Sequence, residues 1–229
     1  MIILLLIILI LLFNKNYEKF TEKKITEKKN FTDKSLDYIK YINFDNNSYS
    51  LPSSDINKFS KYNYPIVFGT LELEGLKKII DQINIFKGTK WIRNKIFLDL
   101  GSGDGRVNIW SLLFNFKKSI GIEYSKKRHN NAIVNKKKLD IDDQKKIQFI
   151  NKYLFNYNMK NVDVIYISSY AFTKEMKTNL IDKFNKELKK HSLIFTTRKF
   201  IDDNLKLISK FYVNQSWDKK SEIHFYEKT

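Results

Sequence analysis

The chain has 229 residues, enough for one well-buried domain plus an extension and too few for two domains of ordinary size. Its 42 Lys and Arg against 25 Asp and Glu give a formal charge of +17, which favours an acidic partner such as nucleic acid or an anionic membrane surface. The absence of cysteine excludes a disulfide framework, a thiol nucleophile and a cysteine zinc site, and His129, His191 and His224 lack metal-ligand spacing, so no metal is expected.

The chain opens with an apolar run, Ile2 to Phe13, followed by Asn14, Lys15 and a lysine-rich stretch. As a helix the run would span roughly 18 Å, short of the ~30 Å hydrocarbon core. It lacks the basic start and small-residue cleavage site of a signal peptide. The lysine-rich flank suits a short membrane anchor with its flank in the cytoplasm, and a buried hydrophobic helix is the alternative. Residues 14–60 are polar and rich in Lys and Asn, and read as a linker or lid with a short amphipathic helix near Leu36 to Ile42. The clusters Lys126-Lys127-Arg128, Lys136-Lys137-Lys138, Lys145-Lys146 and Lys189-Lys190 each read as solvated helix faces that together steer acidic partners.

From residue 61 the pattern becomes regular. Helical spacing runs through Leu76, Ile79, Ile80 and Ile83 within 71–85, then strand, helix and strand are predicted at 96–100, 104–116 and 119–124. A helix at 126–139, strands at 147–150 and 162–168, a helix at 173–190 and a strand at 193–197 follow. Phe211 to Trp217 and Glu222 to Tyr226 alternate about Asp218-Lys219-Lys220, which predicts a hairpin. The expected fold is α/β: a doubly wound, mostly parallel, seven-stranded Rossmann-like sheet with an antiparallel terminal hairpin, over residues 61–229.

The chemistry concentrates in Phe97-Leu98-Asp99-Leu100-Gly101-Ser102-Gly103-Asp104-Gly105-Arg106. An apolar strand enters a turn whose glycines leave no Cβ to obstruct a ligand, and helical spacing resumes through Val107, Trp110, Leu113 and Phe114. Eighteen residues after Gly105, Ile120-Gly121-Ile122-Glu123 supplies a second strand ending in a carboxylate, the position that takes ribose hydroxyls in nucleotide-binding sheets. The third glycine falls one residue early for the nicotinamide fingerprint, and an acid precedes the first glycine by two. That variant is the one with which class I methyltransferases hold S-adenosylmethionine. A strand-to-helix turn without a ligand is the plainer alternative.

After the fourth strand, Ile165-Tyr166-Ile167-Ser168-Ser169-Tyr170-Ala171-Phe172 lacks the paired prolines of enzymes that methylate exocyclic base amines. With its surroundings it resembles the disruptor-of-telomeric-silencing family, the non-SET lysine methyltransferases that modify a core histone on the nucleosome. Val67-Phe68-Gly69-Thr70 is similar to that family's Tyr-Gly-Glu motif, Asp99 to Gly105 to its D-L-G-S-G-x-G, Gly121-Ile122-Glu123 to its G-V-E, and Val164 to Phe172 to its V-I-F-V-N-N-F-A-F. Ser216-Trp217 and Ser221 to Tyr226 are similar to its terminal hairpin.

The resemblance implies cofactor contacts from Phe68, Gly69, Thr70, Asp99, Gly101, Ser102, Gly103, Gly105, Glu123, Lys152, Tyr153 and Ser168. It implies catalytic positions at Ser168, Tyr170, His224 and Phe68. Where the family has a glutamate, an asparagine, a channel tyrosine and an acid facing the adenine, this chain has Thr70, Ser168, His224 and Lys152. Asp99 to Arg106 also resembles the membrane-anchored lysine methyltransferases of mitochondrial ATP synthase subunit c and the ADP/ATP translocase. Both resemblances imply a protein substrate with an acceptor lysine, a histone or nucleosome in the first case, and an intracellular enzyme that is chromatin-associated or membrane-attached through residues 1–13. An RNA methyltransferase, favoured by the charge, and an inactive cofactor-binding module are the alternatives.

Overall fold

The computed structural model describes residues 42–44 and 48–229; the apolar run at 1–13 and most of the linker lie outside the described residues. Seven strands form one sheet: β1 Ile96–Leu100, β2 Lys118–Glu123, β3 Ile147–Asn151, β4 Val164–Ile167, β5 Leu193–Thr196, β6 Leu205–Gln215 and β7 Asp218–Lys228. Their order is β3-β2-β1-β4-β5-β7-β6, parallel through β5, with β7 antiparallel to both β5 and β6. The central strands are buried along nearly their whole length, as their unbroken apolar runs require.

Six α-helices are described: α1 Ser53–Lys61, α2 Leu73–Lys87, α3 Arg106–Ser111, α4 Lys126–Lys136, α5 Ile141–Lys146 and α6 Lys174–Glu187. On one face, Leu98, Leu100, Ile120, Ile122, Ile165 and Ile167 meet Leu180 and Phe184 of α6 in a closed apolar cluster. Side-chain caps start α4 and α6: Ser125 Oγ accepts from Arg128 N at 3.1 Å and Thr173 Oγ1 from Met176 N at 3.2 Å.

The differences from expectation have local causes. α1 lies inside the segment read as linker or lid; Asp55 and Phe59 are its buried positions, so its apolar stripe is too thin to register as periodicity. α5 buries no residue and leaves no stripe at all, although Asp142, Asp143, Lys145 and Lys146 complement its dipole. The hairpin turns at Ser216-Trp217, not at 218–220, which begin β7. That tip is exposed on both faces and carries no alternation, and β6 starts six residues earlier than its apolar pattern because its first half is an edge with Lys206 and Leu207 exposed.

Candidate active site

The strand order reverses between β1 and β4, and a crevice beyond the strand ends is the geometric consequence. A cavity of about 280 Å³ lies there, between the glycine turn and the segments after β2, β3 and β4.

The turn is built by backbone. Gly101 N and Ser102 N both donate to Ile122 O, at 2.9 and 3.0 Å, tying the turn to β2. Gly101 has φ +90° and faces the cavity, and a Cβ there would stand in open space, so the peptide is bared to a ligand. Gly103 has φ +54°, and a Cβ on it would run into the Phe68 ring. Gly105 is left-handed at φ +79° and packs against Phe149, so its role is to begin α3 rather than to face the cavity.

Glu123 ends β2 with its carboxylate in the cavity wall. Oε2 accepts from Gly103 N at 2.9 Å and Oε1 from Ser125 N at 2.7 Å, leaving each oxygen a lone pair. Burial pushes its pKa up, while the Arg128 charge and the backbone N–H groups of Ser125, Gly103 and Tyr124 pull it back. Asp99 sits behind the turn, 3% exposed and outside the cavity lining. Every influence on it points one way: burial first, then the carboxylates of Glu123 and Asp104 hold its pKa well above the ordinary range. Asp104 has its own cation, a two-oxygen pairing with Arg106 whose shortest contact is 2.6 Å. Asp99 and Glu123 therefore form a buried acidic pair with Arg128 as the cation acting on Glu123, and a ligand that carries positive charge and hydroxyls fits beside them. S-adenosylmethionine, with a sulfonium, an ammonium and a ribose diol, has that chemistry; a dinucleotide pyrophosphate has the opposite charge.

The outer wall comes from the chain before the sheet. Phe59 of α1, then Tyr64, Pro65, Val67 and Phe68, line the cavity opposite the turn. Tyr64, Tyr124 and Phe59 interlock at ring-centroid distances of 5.5 to 6.5 Å, and Tyr153 backs them, stacked on Tyr62 at 4.8 Å. Tyr153 thus supports the wall from behind, whereas Lys152 faces the cavity.

Ser168, Tyr170, Ala171 and Phe172 after β4 share the lining with Gly69 and Trp217. A Cβ on Gly69 would collide with the Trp217 indole, so glycine is what lets the hairpin tip close in here. Tyr170, 56% exposed, forms the lip, with the Arg198 guanidinium 3.9 Å from its ring centroid and Arg198 Nε donating to Tyr170 O at 3.3 Å.

Phe68, Gly69, Gly101, Glu123, Lys152, Ser168 and Tyr170 thus share one cavity. Thr70 instead pins the hairpin turn, its N donating to Ser216 Oγ at 3.0 Å and its O accepting from Ser216 N at 2.9 Å. Ser102 is buried with its Oγ unpartnered, below the cavity rather than in its lining. His224 is off the cavity, because β7 places it opposite Thr196 with Nε2 3.1 Å from Glu222 and its ring stacked toward Tyr226. Arg128 corrects the solvated reading of its cluster: it is 3% exposed and lines the cavity. Sequence reasoning also missed Phe59, Tyr64, Pro65, Tyr124 and Leu154 as cavity residues.

Sheet order, switch-point cavity, glycine turn and acid-ended second strand define a class I methyltransferase. Solved structures share the fold. The magnesium protoporphyrin IX methyltransferase of Synechocystis PCC 6803, solved with bound S-adenosylmethionine, superposes with a TM-score of 0.54 at 12% identity over 90% of this chain and 97% of its own. A candidate methylase from Haemophilus influenzae gives 0.53 at 17% identity over 67% and 87%. No curated protein matches the chain significantly in sequence. The family model for histone methylation protein DOT1 matches residues 46–227, and the chain belongs to that family. It is a methyltransferase that uses S-adenosylmethionine.

Proposed function

We propose that the protein methylates the ε-amine of a lysine in a protein substrate, a nucleosomal core histone being the first candidate. The observation that carries this reading is the cavity's lining, which joins the Glu123 carboxylate to the aromatic side chains of Tyr170, Phe172 and Trp217. The family match supports a histone as the acceptor.

S-adenosylmethionine supplies an activated methyl on a positively charged sulfur. Asp99 and Glu123 balance the positive charge, Glu123 takes the ribose hydroxyls through its two free lone pairs, and Tyr64 and Tyr124 give the purine apolar surface. Tyr170, Phe172 and Trp217 hold the lysine stem and exclude water. An amine with an ordinary pKa near ~10.4 must lose a proton before attack; desolvation in the aromatic mouth and the Arg198 charge at its lip favour that loss to solvent. Ser168 Oγ accepts from the amine N–H and directs its lone pair at the methyl.

The test is methyl transfer from radiolabelled S-adenosylmethionine by the full chain to reconstituted nucleosomes, free core histones and total RNA in parallel. Label on a histone lysine is expected. Label on RNA alone, the outcome the charge of +17 would favour, overturns the lysine reading.

The apolar run Ile2 to Phe13 supports membrane attachment; among the described residues no helix is long and apolar enough to cross a membrane. The 229-residue chain is expected to float with anionic vesicles in high salt, where lysine-rich surfaces no longer bind. Loss of flotation at high salt would reduce the attachment to surface charge.

A further inference from the structure

The segment 48–68 crosses the outer side of the cleft as a strap, and α4 holds it. Asp55 is 1% exposed; its Oδ2 accepts from Ser125 Oγ at 2.6 Å and from Lys127 N at 3.1 Å, so it caps α4 from across the gap. Arg128, one turn on, sends Nε to Ser48 O at 3.0 Å and Nη2 to Ile66 O at 2.8 Å, with its guanidinium 4.9 Å from the Phe68 ring centroid. Two points of the strap far apart in sequence are thus tied by one planar fork. Between them lie the wall residues Phe59, Tyr64 and Pro65.

The same side chain lies beside the acid. Arg128 and Glu123 act on each other electrostatically, yet the guanidinium donates to carbonyls, and the Glu123 oxygens take only backbone N–H groups. A direct ion pair would have used the lone pairs that the cleft needs. The other titratable groups that act with Glu123 are Asp99 on β1 and the Tyr64 phenol from the strap, and Lys152 belongs to the same cavity lining. Asp104 is matched by Arg106, so Arg128 is the buried cation acting on Glu123 among the described residues.

We propose that Arg128 is the positioning residue of this cleft: its fork fastens the strap as the outer wall, and its charge stands beside Glu123 without occupying its oxygens. The inference rests on the reading that the cleft holds S-adenosylmethionine. Lysine at 128 would keep the charge and lose the fork; glutamine would keep a donor and lose the charge.

Two measurements on the full chain separate the roles. Binding of S-adenosylhomocysteine, which has the diol without the sulfonium, is measured by calorimetry between pH 5.5 and 8.5. Arg128→Gln is expected to bind about tenfold more weakly at pH 6, the scale of one charge-assisted hydrogen bond, with a smaller deficit at pH 8.5. Arg128→Lys is expected to follow the wild-type pH profile at uniformly lower affinity. In the second measurement, trypsin cuts at Lys58 and Lys61 of α1. Both Arg128 variants and Asp55→Asn should be cut faster than wild type, and Asp55→Asn should keep the wild-type pH profile. A pH profile of Arg128→Gln identical to wild type overturns the charge role, and unchanged cleavage in all three variants overturns the fastening. If the wild type fails to bind S-adenosylhomocysteine, the cofactor reading fails, and the cleavage comparison still decides whether Arg128 holds the strap.

Discussion

Asp99→Asn is expected to raise the melting temperature of the ligand-free protein at neutral pH and, in the same sample, to remove most of its affinity for S-adenosylmethionine. The two effects have one cause. The folded pKa of Asp99 is raised by burial and by its neighbours Glu123 and Asp104, so between the ordinary carboxylate value and the raised one the folded state binds more protons than the unfolded state. Stability from this group therefore falls as pH rises through that window, and above it the ionised carboxylate is a standing cost. The amide removes the cost, and each ~1 kcal/mol recovered corresponds to about 2–4 °C in a domain of this size. A cationic ligand reverses the balance by favouring the ionised form. Binding should then release a proton, and affinity should fall as pH drops below the raised value. Calorimetry in two buffers of different ionisation enthalpy reads the proton directly. A variant that melts lower than wild type and binds the cofactor normally would remove Asp99 from the site.

The parts of this site legible in the sequence are those made by single strands and turns. Asp99, Gly101 and Glu123 announce themselves because a strand's period and a glycine turn's steric demands are local. The wall was not legible for the opposite reason. Phe59 and Tyr64 belong to a strap whose apolar residues are sparse, and Arg128 stands in a run of four basic or ionisable residues, Lys126 to His129, that looks solvated until α4 is seen to turn one of them inward. The resemblance set His224 at the position of a channel tyrosine, whereas β7 pairs it with Thr196 off the cavity; alternation fixes a face of a strand and not its register. In the hairpin the register shifts twice, between Leu207 and Ser209 and between Val213 and Gln215, and no residue type marks those shifts in advance. Periodicity carried the parallel strands β1 to β5, whereas α1, α5 and the exposed start of β6 leave no such pattern; the site needed long-range contacts such as Arg128 to Ser48 and Gly69 to Trp217, which periodicity does not encode.

Glu123→Gln should separate binding from chemistry. Each oxygen of Glu123 already accepts one backbone N–H, from Gly103 and from Ser125, so the carboxylate is held rigidly with its remaining lone pairs directed at the cleft. Two charge-assisted hydrogen bonds to a diol at ~1.5–3 kcal/mol each correspond to a loss of roughly 10² to 10⁴ in cofactor affinity. The amide also turns an NH₂ toward one of the two N–H donors, so the side chain cannot keep both contacts. Yet in the proposed reading Glu123 holds the ribose, while Ser168, Tyr170 and Trp217 serve the acceptor amine. The Michaelis constant for S-adenosylmethionine should therefore rise steeply while kcat at saturating cofactor stays within a few-fold. Glu123→Ala is the less informative change, because it strands both backbone donors and weakens the turn as well as the site. Should Glu123→Gln lower kcat and leave the Michaelis constant unchanged, the carboxylate acts in the transfer step itself, and its assignment to the ribose falls.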